Sequence, residues 1–332
     1  MKYNNAGNHK KRRHYKVQII ALIMLSLIFV AIIVNNLIRS SINTPYENLL
    51  TEKNTVKEYV QLPPLASVQP NVDNTRIETP ENSPLQFIQT GQNIVLNYRA
   101  LLENADEVYY GVYNFQTDDY FICEKSVKTP SASIIKVFIM EYAFAQVTEE
   151  DLQLDRMISG KTILSLIMDM IQKSDNNATN TLIDYFGMEN LNAFFSEKGY
   201  VDTVLERKML DNTARSSGLD NYTSLSDCMS YLKKLCTNQE EEPYRQMLNI
   251  LLGQQVKTKI PLKLPAGVTV ANKTGELNDV ENDMGLVFSE TFTIAIVVLT
   301  NKVRNAENMR SAIADFAFEA YEKMSSNKYI DG

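Results

Sequence analysis

A chain of 332 residues, 44% of them hydrophobic, has room for one large globular domain or two small ones. Six of its 33 basic residues and none of its 40 acidic residues lie in residues 1–38, so the remainder carries an excess of 13 negative charges. Such an acidic body lacks the basic face that a phosphate backbone needs, which excludes nucleic acid as a partner.

In chain order, residues 1–16 form a basic tail holding Lys2, Lys10, Lys11, Arg12, Arg13 and Lys16. Residues 17–38, VQIIALIMLSLIFVAIIVNNLI, carry no charge and are long enough to span a bilayer as a helix. The apolar core is too long for a cleaved signal peptide and lacks a small-residue cleavage pattern. It reads as an uncleaved transmembrane anchor with the basic tail in the cytoplasm. The protein is then a single-pass cell-membrane protein, and everything after residue 38 is extracellular or periplasmic. Six of the ten prolines fall between the anchor and residue 85, making residues 39–84 a Pro-rich extracellular linker that lifts a domain off the membrane.

The domain itself reads as residues 85–325. LQFIQTGQNIVLNYRALLE (85–103) suggests a helix. EVYYGVYNF and DYFICEK flank Gln116-Thr117-Asp118 as a β-hairpin. Residues 133–255 have helical periodicity with breaks near Gly160, Gly187 and Gly199, and an all-α lobe is expected over roughly 145–255. GVTVANKT, VENDMGLVF and TFTIAIVVLT are strand-like, the last two joined at Ser289-Glu290, and Asn305–Lys323 reads as a closing amphipathic helix. Two early and three late strands predict an α/β chain of the α+β type. It has a five-stranded antiparallel sheet flanked by helices, an all-α subdomain and a preceding N-terminal transmembrane helix.

The chemistry is narrowed by what is missing. Both histidines, His9 and His14, lie in the basic tail, so the domain has no Ser-His-Asp or Cys-His arrangement and no histidine-ligated zinc site. No metal and no cofactor is expected. Cys228 and Cys236, eight apart on an expected helix, are separated by about 12 Å of helical rise and are read, with Cys123, as free thiols. A nucleophile here needs another base, and lysine serves when burial lowers its pKa. Ser133 and Lys136 are three apart at the start of the apolar helix 133–147, so they share a face. The positive end of that helix favours a developing oxyanion. Ser-x-x-Lys recurs at Ser230/Lys233 and Ser325/Lys328, so the spacing alone is weak. Two further stretches add weight: Ser174-Asp175-Asn176 before a helix, and Lys273-Thr274-Gly275 on a strand.

S-x-x-K, S-D-N and K-T-G in this order resemble the class A β-lactamase and penicillin-binding serine peptidase superfamily. The resemblance runs from about residue 86 to 325. It implies a serine hydrolase of the β-lactamase/DD-peptidase type, with a β-lactam or a peptidoglycan stem peptide as ligand. It makes Ser133 the acylating nucleophile, Lys136 its base and Ser174 the proton shuttle to the leaving nitrogen. Asn176 would contact the substrate amide, and Lys273 and Thr274 would hold its carboxylate. Gly275 would let the strand approach closely. The backbone N–H groups of Ser133 and Glu276 would form the oxyanion hole, and Asp175 would cap the following helix. Arg207 and Asp220 would close a loop at LERKMLDN. One position departs from the family: Met209 stands where class A β-lactamases carry the glutamate that activates the deacylating water. Efficient β-lactam turnover is therefore not expected, and a non-hydrolytic penicillin-binding or sensor protein of the same fold is the alternative.

Overall fold

The chain enters the described structure extended, with Ile94 and Leu96 buried and Val95 and Asn97 exposed. That alternation has a period of two and excludes a helix there, although the sequence pattern predicts one from residue 85. Ile94 and Leu96 are drawn into the cluster formed by Met309, Ile313 and Phe316. The Asn97 side chain then accepts from the backbone N–H of Arg99 at 3.1 Å, so the helix starts late, as α1 (Arg99–Asn104).

This computed structural model describes residues 94–148 and 152–326, which belong to one compact unit. The basic tail, the anchor, the Pro-rich linker and the beginning of the first expected helix lie outside the described residues. Among the described residues no helix is long and apolar enough to cross a membrane.

β1 (Ala105–Asn114) turns at Gln116-Thr117-Asp118 into β2 (Tyr120–Ile122), pairing Gly111 with Ile122 and Tyr113 with Tyr120. The two-residue strand β3 (Thr129–Pro130) leads into a 3-10 turn (Ala132–Ile134) and α2 (Ile135–Thr148). A small hairpin, β4 (Met157–Ile158) and β5 (Lys161–Thr162), precedes α3 (Ile163–Gln172), α4 (Asn176–Phe186) and α5 (Met188–Glu197). After a long loop come α6 (Asn212–Ser216), β6 (Tyr222–Thr223), α7 (Leu225–Thr237) and α8 (Tyr244–Leu252). The chain closes with β7 (Thr269–Leu277), β8 (Val280–Phe288), β9 (Thr293–Val303) and α9 (Ala306–Ser326).

The sheet has five strands in the order β2-β1-β9-β8-β7, and every neighbouring pair is antiparallel. The first eight residues of β9 are buried on both faces, which explains their nearly continuous rather than alternating apolar run, and β8 is buried throughout although it carries Glu281, Asn282 and Asp283. α1 and α9 cover one face through Leu101, Met309, Ile313 and Phe316. α7 covers the other, with Leu225 and Met229 against Gly111. The segment read as one helical lobe is thus divided, because α7 packs on the sheet. Residues 198–211 are not helical, in keeping with the break expected near Gly199 and the loop expected at LERKMLDN. β6 instead pairs with β3, Thr129 opposite Thr223 and Pro130 opposite Tyr222.

α2 is the axis of the helical part. Ile134, Ile135, Phe138, Ile139, Met140 and Ala143 are all 0% exposed. Each fully buried large side chain of this kind contributes roughly 1.5–3 kcal/mol. Phe138 meets Phe195, Tyr200 and Tyr231 edge-on, with centroids 4.8–6.0 Å apart. A helix fixed this firmly can hold a lysine in its first turn out of water.

Candidate active site

Ser133 lies on the 3-10 turn that feeds α2, half-buried, with Lys136 one turn further on. The turn is strained: Ala132 has φ 47°, a left-handed conformation that costs an alanine on the order of 1–2 kcal/mol. Its neighbours hold it. The Ser131 N–H donates to the Asn221 carbonyl at 2.8 Å, and Asn282 Nδ2 donates to the carbonyls of Pro130 (2.9 Å) and Ser131 (3.3 Å). Gly275 completes the support, since a Cβ there would stand 2.8 Å from the Ser131 carbonyl oxygen. At Gly275, strand β7 packs directly against the turn that carries Ser133.

Lys136 is fully buried, and none of its hydrogen-bond acceptors is a carboxylate. Its Nζ donates to the Ser174 carbonyl at 2.7 Å, to Asn176 Oδ1 at 2.8 Å and, more weakly, to Ser174 Oγ at 3.3 Å. Burial lowers its pKa to about 7, with the Asp175 charge pulling the other way. Lys273 reaches the same hydroxyl from β7: its Nζ donates to Ser174 Oγ at 2.9 Å and to the Thr274 carbonyl at 2.6 Å. Burial, then the charges of Lys136 and Lys259, hold Lys273 well below the usual lysine range. Ser174 is thus a hydroxyl between two lysines that each resist being charged. It too has a left-handed backbone, φ 56°, and Asp175 beside it caps α4 by accepting from the Ala178 N–H at 2.7 Å.

Lys136 from α2, Ser174 and Asn176 at the start of α4 and Lys273 from β7 are joined by these hydrogen bonds, with Ser133 on the 3-10 turn that leads into α2 and Thr274 and Gly275 following Lys273 on β7. The competing pairs do not join them. Lys233 lies 5.5 Å over the Tyr113 ring on α7, and Ser325 Oγ donates to the Glu322 carbonyl at the end of α9. Lys328 lies outside the described residues. Cys228 and Cys236 are buried free thiols, and Cys123 is a partly buried one.

The loop before α6 is closed as its sequence suggests. Arg207 is buried and grips Asp220 Oδ1 through Nε (2.8 Å) and a terminal nitrogen (2.7 Å). Asn221 Oδ1 accepts from the Glu206 and Arg207 N–H groups at 2.9 and 3.1 Å. Arg215 Nε bonds Asp220 Oδ2 at 3.0 Å, and its terminal nitrogen reaches Asp279 at 2.6 Å, tying the loop to the β7–β8 turn. Met209 is fixed against α4 by both its backbone groups. Its N–H donates to Asn180 Oδ1 at 2.8 Å, and its carbonyl accepts from Asn180 Nδ2 at 3.1 Å. The two nearby carboxylates are engaged elsewhere, Glu206 with Lys128 at 3.4 Å and Asp211 capping α6 through the Ala214 N–H at 2.9 Å.

Sequence reasoning did not single out Asn180, Asn221, Asn282 or Lys259. Asn180 had a readable signal, standing one helical turn after Asn176 on the same face of α4. Asn221, Asn282 and Lys259 had none, because their partners are 14 or more residues away in the chain.

Against known proteins, the sequence profile described as "Beta-lactamase enzyme family" matches residues 95–324. The β-lactamase OXY-1 of Klebsiella oxytoca is 28% identical over 183 residues, 52% of this chain and 60% of that enzyme, so the alignment spans less than two thirds of it. A β-lactamase structure from Sphaerobacter thermophilus superposes with TM-score 0.61 at 22% identity, covering 69% of this chain and 97% of that one. PBP-A superposes with TM-score 0.62 at 21% identity, covering 71% and 100%. A PBP-A mutant in an acyl-enzyme complex with penicillin G gives 0.60 at 23% identity, covering 66% and 90%. The fold is that shared by the class A β-lactamase and PBP-A structures, and the profile match spans nearly all the described residues. The chain belongs to the β-lactamase enzyme family.

Proposed function

We propose that this protein is a membrane-anchored, outward-facing serine acyl-enzyme that attacks the amide of a β-lactam or of a D-Ala-D-Ala peptide end. The observation that carries this reading is the convergence of Lys136 and Lys273 on Ser174 Oγ, with Lys136 lowered to about 7 by burial. Neutral Lys136 takes the proton of Ser133 Oγ as that oxygen bonds to the carbonyl carbon. The oxyanion is held by the N–H groups of Ser133 and Glu276, and the substrate carboxylate by Lys273 and Thr274. As the C–N bond breaks, Ser174 gives its proton to the leaving nitrogen and is reprotonated from Lys136. Asn176 orients the substrate amide. The ester on Ser133 then needs an activated water. Met209 places an apolar, buried side chain where the family's glutamate would stand, so release is slow.

The apolar Met209 also supports a second reading, a penicillin-binding or sensor protein in which the adduct is the end state. Intact-mass spectrometry of the full-length protein with penicillin G, followed over time, separates the two. An adduct that persists for hours favours the sensor reading, and one that decays over minutes favours slow hydrolysis. Ser133→Ala is expected to abolish the adduct, while Ser230→Ala retains it. An adduct that survives Ser133→Ala overturns both readings.

A further inference from the structure

Ser174 Oγ and Lys273 Nζ meet at 2.9 Å, although the two residues stand 99 apart in the chain. Ser174 follows the last residue of α3 by two, and Lys273 lies within β7. The segment after α8 is bonded to both elements. Gln254, 2% exposed, donates through Nε2 to the Ile171 carbonyl at 2.9 Å and to the Asn272 carbonyl at 3.4 Å. Its Oε1 accepts from the Val256 N–H at 2.9 Å, so the amide nitrogen is the end that faces the two carbonyls. Ile171 stands three residues before Ser174, and Asn272 stands one before Lys273. The Gln255 N–H adds a second tie to α3, donating to the Gln172 carbonyl at 2.9 Å. Gln172 Nε2 returns to α8, donating to the Ile250 carbonyl at 3.3 Å.

The chemistry of the side chain suits this place. The last carbonyls of a helix have no partner within it, and Ile171 is next to last in α3. A primary amide carries two N–H donors on one nitrogen, so it can serve α3 and β7 at once, as a hydroxyl or a carboxylate cannot. Asn272 is also held by its own side chain, whose Nδ2 donates to Asp283 Oδ1 at 2.9 Å and Oδ2 at 3.2 Å. Resting on the acyl-enzyme reading, we infer that Gln254 is a positioning residue. It acts through Ile171 and Asn272 to set the distance between Ser174 and Lys273, and hence the proton transfer from Ser174 Oγ to the leaving nitrogen.

The test compares acylation rate constants of the full-length protein with penicillin G and with phenylacetylglycyl thioglycolate, a thiolester that keeps the phenylacetyl group and a carboxylate. When the amide C–N bond breaks, the nitrogen takes up the Ser174 proton. When the C–S bond breaks, the thiolate leaves with the electron pair, and the proton from Ser133 stays on Lys136. Displacing a reacting group by about 1 Å costs up to about 100-fold. Gln254→Met keeps the length of the side chain and removes both donors. It is expected to slow acylation by penicillin G about 10- to 100-fold and to leave the thiolester nearly unaffected. A merely structural loss would slow both alike, so an amide-to-thiolester ratio equal to that of the unsubstituted protein overturns the inference. If Gln254→Met fails to fold, Gln172→Ala, at a half-buried residue, carries the test. The same ratio is expected to fall by less, and an unchanged ratio overturns the inference. If neither compound acylates the unsubstituted protein, the acyl-enzyme reading fails, and a crystal structure of the variant decides the positioning role. A separation of Lys273 Nζ from Ser174 Oγ lengthened beyond hydrogen-bond reach sustains it, and one still at 2.9 Å overturns it.

Discussion

Lys136 and Lys259 are equally hidden from solvent, yet their surroundings are opposite in kind. Lys136 meets a carbonyl, an amide oxygen and a hydroxyl, and its pKa falls to about 7. Lys259 meets two carboxylates, Glu276 and Glu281. Neutral partners make a buried lysine a proton acceptor, whereas carboxylates make it half of an ion pair. Burial alone therefore does not identify a catalytic lysine, and the identity of its partners does.

Substituting each lysine by methionine is the strongest way to break the comparison. Lys136→Met is expected to slow penicillin acylation by about 10²–10⁴, the usual worth of a positioned base, while the protein stays folded. The sign for stability follows from the lowered pKa. Folding loses stability as pH falls from the ordinary lysine range to about 7, and Lys136→Met should be free of that slope. Lys259→Met should act on the fold instead. It strips Glu281, 2% exposed, of a partner 2.9 Å away, and breaking one side of a buried pair costs about 3–5 kcal/mol. Acylation kinetics and urea denaturation of both variants decide it. Equal kinetic defects with equal stability would erase the distinction.

A smaller effect sharpens it on the deacylation side. Asn180 holds both backbone groups of Met209, so the loop places whatever side chain stands there. Met209→Glu is expected to shorten the penicillin acyl-enzyme lifetime roughly 100-fold, the low end of general-base assistance. The adduct is followed by intact mass. An unchanged lifetime would mean that the carboxylate does not reach the ester, and Asp211 would not replace it, because it is committed to capping α6.

The two lysine neighbourhoods differ also in how far the sequence displays them. Lys136 was legible because a charge in the first turn of an otherwise apolar helix violates amphipathic patterning, and because Ser133 stands three residues before it. Lys273 was legible through its Thr-Gly context on a strand. The five strands could be read from β-branched and aromatic runs, and the hairpin from its turn residues. Lys259 was not legible: VKTKIP is an ordinary polar stretch, and its partners Glu276 and Glu281 arrive only when β7 pairs with β8. The extended entry at Ile94–Asn97 was misread for a related reason, and the loop over 198–211, expected around LERKMLDN, is held by contacts the sequence does not display. Packing against α9 overrides the local helical period in the first case, and Asn180, Asn192 and Asn221 hold the loop in the second.

The pH profile of acylation carries the smallest expected effect. In the proposed mechanism only the neutral amine of Lys136 accepts the Ser133 proton, so the rate should follow the deprotonated fraction. With a pKa of about 7, that fraction rises about tenfold between pH 6 and pH 8 and then levels off. A lysine at its ordinary value near 10.5 would instead keep the rate climbing across the whole alkaline range. Stopped-flow acylation by penicillin G over pH 5.5–10 distinguishes the two shapes, and Lys136→Met should flatten whichever is seen. Asn176→Ala adds a control, since it removes an acceptor 2.8 Å from Nζ and leaves the charged form less supported. The midpoint should then move down, not up. A midpoint near 10, or one indifferent to Lys136, would show that a buried lysine with neutral partners is no better a base than an exposed one.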